Sequence, residues 1–419
     1  MLKLNNSYIY FLILILIAIF PVGLLIGTGV SNLINILIVI FYCLHLIVNK
    51  DFKIIKNFYF KLLIILTAYI IFNYLWSVNY YTIEDNFRSF GFIRFILLIF
   101  AFELFLKKKN LYRVLLFWTF ISCIVIFDIF YEYFNHENIF GFKSNYEGRI
   151  ASFLNEELKI ANFVLGFSFL SISFLLTRKL SKKSNIYLFF CYSLLILTVT
   201  SIIITGERSN AIRAIFIFTF LIILSDNKLF KYKYLITTIF ILSAILTYNA
   251  APIKFKYKDQ TIKPIIEKGL IKTFKDSQYG AHYVTSIEIF KSYPLLGIGN
   301  KNFRNECQKE KYFRNDYLLS NLRCATHPHQ IYLEFLSEHG LIGTIIILGI
   351  MFFILYKNIK IYRKKKNLIH LSSILFVLQT FLPIIPSGSF FTSWTGTIFW
   401  INFAFMIFLS NDSKIFYKK

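Results

Sequence analysis

The chain has 419 residues, 57% of them hydrophobic and 50 of them Phe, with a formal net charge of +24 at pH 7. Apolar runs of about 20 residues recur along it and the mean hydropathy is +0.60, which excludes an ordinary soluble domain. The positive charge is scattered over many short links instead of forming one patch, so nucleic-acid binding is excluded as its purpose.

Lipid offers no water to backbone groups, so each apolar run is predicted to be a helix, giving an all-α integral membrane protein of about 12 transmembrane helices. The runs lie near 8–27, 31–48, 59–77, 89–106, 112–132, 158–176, 186–204, 211–225, 234–250, 341–356, 369–386 and 394–410. No small-residue cleavage site follows the first, which reads as a retained span. Threading the spans puts the links with Lys50/Lys53/Lys56, Lys107/Lys108/Lys109, Arg178/Lys179/Lys182/Lys183, Lys228/Lys231/Lys233 and Arg363/Lys364/Lys365/Lys366 on one side. The positive-inside rule makes that side the cytoplasm, with both termini there. The opposite links, around 78–88, 133–157, 205–210 and 387–393, are poorer in Lys and Arg. Residues 1–250 thus carry spans one to nine, 251–340 one long, partly helical outer loop, and 341–419 the last three spans.

Candidate site residues follow in chain order. Arg94 interrupts the run Phe92-Ile93-Arg94-Phe95-Ile96, where a guanidinium is costly unless it faces a wet cavity or makes a structural ion pair. Arg88, about 9 Å nearer the outer surface at the usual helical rise, is an equal fit to an interfacial anchor. Arg149, in Glu147-Gly148-Arg149, reads as a solvated loop residue unless the outer-face arginines converge. Gly206-Glu207-Arg208-Ser209-Asn210-Ala211-Ile212-Arg213 is a very short outer turn running into a helix, and two cations with backbone donors at a helix start make an anion cradle. A Glu207 salt bridge to a neighbouring arginine is the bland alternative. Tyr293-Pro294-Leu295-Leu296-Gly297-Ile298-Gly299 is a backbone device, a helix end followed by an X-Pro break and two permissive glycines.

The outer loop holds Cys307 and Cys324, which an oxidising compartment would bridge, while Cys43, Cys123 and Cys191 lie in apolar spans and read as packing residues. In Thr326-His327-Pro328-His329-Gln330 a polar loop becomes a membrane helix. Pro328 suits the first helical turn, so His329 is expected on that turn's exposed amides, where the positive end of the dipole keeps its imidazole neutral and able to accept a proton. His282, His327 and His339 more often correspond to surface or capping residues.

Three elements, Gly206-Glu207-Arg208-Ser209, Tyr293 to Phe303, and His327-Pro328-His329-Gln330 to Gly343, resemble in order and topology the O-antigen ligase and polymerase family. The resemblance covers roughly residues 85–345 and implies a GT-C-like, metal-independent glycosyltransferase without cofactor, in a bacterial inner membrane with its site facing the periplasm. It places His329 on the family's catalytic histidine, His327 beside it as an accessory, and Arg208 on the arginine of the short outer turn. Gln330 stands where an Asn is common, and Glu207 adds a carboxylate beside Arg208. The implied donor is an undecaprenyl pyrophosphate-linked glycan, and the implied acceptor is lipid A core for a ligase or a lipid-linked glycan for a polymerase. Planar guanidinium groups suit a departing diphosphate, and a neutral histidine suits a hydroxyl acceptor. On this reading Arg208, Arg213, Arg94, Arg88 and Arg149 hold the diphosphate. A flippase or secondary transporter is the rival from another class; no half-to-half repeat supports it, and the polar residues gather on the outer face.

Overall fold

The computed structural model describes residues 6–50, 52–77, 87–105, 108–155, 157–177, 185–225, 232–248, 254–314 and 319–411. Among these no strand occurs. The helices are α1 (Asn6–Ala18), α2 (Phe20–Ile26), α3 (Thr28–Asn49), α4 (Phe58–Ser77), α5 (Ile93–Phe105), α6 (Lys108–Asn135), α7 (Ile160–Thr177), α8 (Asn185–Ile204), α9 (Arg208–Leu224) and α10 (Lys233–Tyr248). A π-helical segment (Phe255–Ile262) and four short helices follow, α11 (Lys263–Lys268), α12 (Leu270–Lys275), α13 (Gln278–Ser292) and α14 (Phe303–Glu306). Then come α15 (Ile331–Lys365), α16 (Leu368–Thr380) and α17 (Ser393–Asn411).

Each of the predicted apolar runs is helical over most of its described residues, and the chain is a multi-pass helical membrane protein. By length and composition, six of the described helices can cross a membrane, or seven if the pair α1 and α2, bent by 49°, is one span. The bend falls where Pro21 opens α2, since its ring presets a helical start but gives no N–H to the preceding turn. α16 ends at Thr380, short of the predicted 386, because Pro383 and Pro386 lack amides to continue it. α7 is buried on nearly all sides and packs against α6, α8 and α16, while α17, also buried, packs against α5 and α16. These helices form the centre of the bundle, and the exposed Ile and Phe side chains of α3, α9 and α10 face outward as a lipid-facing surface requires.

α15 begins outside its predicted span and runs through it, with a break at Gly340 (φ 63°). The break frees carbonyls and amides that the 294–299 segment takes up. Ile298 N donates to Ser337 O (3.1 Å) and Gly299 N to Glu338 O (2.8 Å), while Leu341 N donates to Pro294 O (2.8 Å) and Ile342 N to Leu295 O (3.2 Å). A side chain at Gly340 would meet the Leu295 backbone, so the close approach needs glycine as well as its positive φ. The boundary expected at 340 is therefore a joint within one helix, which ties the 294–299 segment to the bundle.

Candidate active site

A cavity of about 1480 Å³ opens at the end of the bundle where α9 and α15 begin, away from the cationic helix end at Arg363, Lys364 and Lys365. Its wall includes Arg94, Arg149, Arg208, Arg213, His327 and His329. Arg88 has its side chain outside the described residues.

Each arginine is held by neutral oxygen. Arg208, the first residue of α9, donates to Thr261 Oγ1 (2.6 Å), and Arg149 donates to Gly206 O (2.8 Å). The turn that accepts it needs Gly206 (φ 72°), because a Cβ there would strike the Gly148 carbonyl. Arg213, only 8% exposed, donates to Asn210 Oδ1 (3.3 Å) and Pro386 O (3.2 Å), and its Nε has no partner. Arg94 donates to Ser393 Oγ (2.8 Å) and lies over the Phe95 ring. It does not sit deep in a span as expected. The run before it is a 3-10 turn (Phe87–Phe92), so Arg94 lies at the mouth of α5 and meets the first residue of α17. None of these four makes a salt bridge among the described residues.

Four carboxylates near these arginines, Glu207, Glu132, Asp128 and Glu338, accept from backbone amides or neutral side chains, while Asp276, also on the wall, pairs with Lys268 (3.6 Å). Glu207 accepts from Ala161 N (3.0 Å), at the start of α7, and from Asn210 Nδ2 (2.6 Å), so it anchors a neighbouring helix instead of pairing with Arg208. Glu132 on α6 accepts from Ser152 N (2.6 Å), and Asp128 from Ile139 N (2.9 Å), which together shape the segment that carries Arg149. Glu338 accepts from Lys301 N (2.8 Å) and Phe303 N (3.2 Å). Carboxylates committed in this way leave the guanidinium groups facing the cavity with their charge uncancelled by direct contact.

The histidines depart from the expected geometry. α15 starts at Ile331, with Gln330 as its N-cap accepting from Leu333 N (2.8 Å), so neither Pro328 nor His329 lies in its first turn. His329 has φ 58°, and its carbonyl accepts from Ser387 N (2.8 Å). Its ring stacks on His282 (5.2 Å between centroids) and lies 4.1 Å from that of His327. Burial, helped by the neighbouring His282, pushes the His329 imidazole down to about 4. Burial, then His329, pushes His327 down to about 3. Both are neutral at neutral pH through desolvation, where for His329 a helix dipole was the expected cause. His327 uses both nitrogens, Nδ1 with Thr326 Oγ1 (2.9 Å) and Nε2 with Ser387 O (3.3 Å). His329 has no ring hydrogen bond among the described residues and lines the cavity, so of the two it is the one free to take a proton. His339 is fully buried among Tyr69, Phe335 and Phe391 and does not line the cavity.

Cys307 and Cys324 are joined in a disulfide, with Cα atoms 5.3 Å apart, and Arg323 donates to Cys307 O (3.0 Å). The bridge fixes the segment that leads into His327. The sequence reading missed Lys159, Lys301 and Arg304, which add cations to the wall, and the 386–390 segment, which touches both histidines and Arg213. A Pro/Ser/Gly cluster between two apolar runs was the available signal for that segment. Among the described residues no group of three His, Cys, Asp or Glu is placed to hold a metal ion.

No curated protein matches the chain. A family model described as O-antigen ligase matches residues 193–348, a stretch that includes the α8–α9 turn, the segment from α11 to α14 and the histidine pair. Over residues 193–348 the chain is thus similar to the O-antigen ligase family.

Proposed function

We propose that the protein is an O-antigen ligase that moves a glycan from an undecaprenyl pyrophosphate carrier to a sugar hydroxyl of lipid A core. The observation that carries this reading is a cavity in which His329, neutral and without a ring hydrogen bond among the described residues, shares a wall with four arginines that make no salt bridge among those residues. A lipid diphosphate brings negative charge to these guanidinium groups, whose forks match phosphate oxygens in pairs.

In the proposed reaction the acceptor oxygen attacks the anomeric carbon and forms the new C–O bond. The bond from that carbon to the diphosphate oxygen breaks, and the carrier leaves with the electron pair. The hydroxyl proton goes to His329. Arg208 and Arg213, with Arg94 and Arg149, hold the diphosphate as its charge grows, and Arg88 serves the same end at the outer rim. A basicity of about 4 is low for this step in the empty site, but an anionic diphosphate beside His329 favours its protonated form and raises it. This reading takes all twelve apolar runs as spans of the inner membrane, both termini as cytoplasmic, the cavity as periplasmic and the transfer as independent of metal. Attack from the face opposite the leaving group makes the transfer inverting.

The test is reconstitution of the full chain with a lipid-linked glycan and two acceptors offered separately, lipid A core and a second lipid-linked repeat. Glycan joined to lipid A core supports the ligase. Joining only to the second repeat makes the protein a polymerase, and movement of the glycolipid across the bilayer without a new bond makes it a carrier.

A further inference from the structure

We propose that Glu334 is a positioning residue for the reaction centre, acting through the 386–390 segment on both histidines and on Arg213. This rests on the functional reading above. Glu334 lies in the first turn of α15 and is 1% exposed. One of its oxygens accepts from Phe390 N (2.9 Å) and the other from Ser389 Oγ. A few residues upstream, Ser387 N donates to the His329 carbonyl (2.8 Å), Ser387 O accepts from His327 Nε2 (3.3 Å), and Pro386 O accepts from Arg213 (3.2 Å).

The segment has little structure of its own to hold it. Residues 381–392 are irregular, and Pro383 and Pro386 have no amide to donate. A buried carboxylate with no salt bridge among the described residues is an expensive way to fill space, so its presence needs the bonds it accepts. Glu334 thus ties the start of the helix that follows His329 to the strap that holds the imidazole of His327, the backbone of His329 and the guanidinium of Arg213. Base and phosphate-binding side chain are thereby kept in one frame.

Glu334→Gln keeps the size but removes the charge and replaces one acceptor by a donor, so the Ser389 hydroxyl, which donates to the carboxylate and accepts from Phe391 N (3.2 Å), must turn to accept from the amide. In full-chain enzyme reconstituted with lipid-linked donor and acceptor, kcat should fall about 10- to 100-fold, the cost of a misplacement on the order of 1 Å, with the donor KM changed by less than about threefold. The acid limb of kcat/KM should also move up toward the ordinary histidine range, because a loosened strap lets water reach His329. The other titratable and charged groups around the histidine pair, His282, Tyr279 and Tyr283 on α13, and Arg304, are untouched by the substitution. Glu334→Asp keeps both acceptors and should recover part of the rate. If Glu334→Gln does not accumulate, Ser389→Ala, which removes one donor to the same carboxylate, should give a smaller loss of kcat with the same movement of the acid limb. Loss of activity only in proportion to folded protein, with the acid limb unmoved, overturns the proposal, as does full activity. An inactive His329→Ala beside a fully active Glu334→Gln overturns this inference alone, whereas an active His329→Ala overturns the functional reading.

Discussion

Replacing Arg213 by Met asks whether a buried cation is kept for a ligand or for the fold. In the folded chain the guanidinium is 8% exposed, makes two long bonds to neutral oxygens at 3.2 and 3.3 Å, leaves its Nε unsatisfied and pairs with no carboxylate among the described residues. Removing those bonds costs about 1.5 to 3 kcal/mol each, and the long distances favour the lower figure. Removing a buried, unpaired charge returns several kcal/mol of desolvation, and Met fills similar volume with apolar atoms. The two effects nearly cancel, so unfolding of the empty protein should change by no more than about 1 to 2 kcal/mol in either direction. Transfer should behave differently. Loss of one preorganised donor to the departing diphosphate costs about 2 to 4 kcal/mol of transition-state stabilisation, or roughly 30- to 900-fold in kcat/KM. Purified Arg213→Met in nanodiscs, followed by thermal unfolding and by transfer from a lipid-linked donor, separates the two. A protein destabilised by more than about 3 kcal/mol with its residual folded fraction fully active would show that Arg213 is a strut, and the reasoning would fail.

The other predictions concern the same cavity. Arg208→Ala should lose about 2 to 4 kcal/mol of transition-state stabilisation and Arg208→Lys should recover only part, since a point charge cannot replace the fork; full activity of Arg208→Ala on purified enzyme would remove it from the site. For pH, His329 lies at about 4 in the folded chain against the ordinary 6.5, so the unfolded chain binds more protons between these values. Its contribution to stability is therefore complete above about 6.5 and lost as pH falls toward 4, and kcat/KM of the empty enzyme should hold from neutral pH down to about 5 before it drops. A limb near 7 in the free enzyme would contradict the desolvated histidine. Cys307→Ser or Cys324→Ser opens a loop with sequence separation 17, worth about 3 kcal/mol by loop entropy, which should raise proteolysis of the 300–325 segment roughly 100-fold where cleavage follows the open population. Unchanged proteolysis would show that the bridge contributes nothing to this segment.

The helices and the convergence of arginines were legible in the sequence because both follow from local rules. An apolar run in lipid has to be helical, and cations on outer links of one bundle must end near one another. The start of α15 was not legible to the residue. Pro328 fits a first helical turn, yet His329 takes a left-handed conformation and Gln330 caps the helix, an arrangement set by the Ser387 amide from 58 positions away along the chain. Arg94 looked deep because apolar residues flank it on both sides, but a 3-10 turn lifts it to the cavity mouth. The carboxylates were the least legible of all. Glu207 looks like a counter-charge for an arginine, and instead it accepts an amide 46 residues away, as Glu334 and Glu338, not singled out in the sequence, accept amides 56 and 35 residues away. That pairing depends on which loops the bundle brings together, and no local pattern carries it.

The most direct test of the account is transfer by His329→Ala. The variant removes a ring that has no hydrogen bond of its own among the described residues, so the protein should insert, accumulate and keep its disulfide. With purified enzyme, lipid-linked glycan and lipid A core at neutral pH, the account predicts that His329→Ala forms no new glycosidic bond while His327→Ala loses less; near-normal transfer by His329→Ala would contradict it.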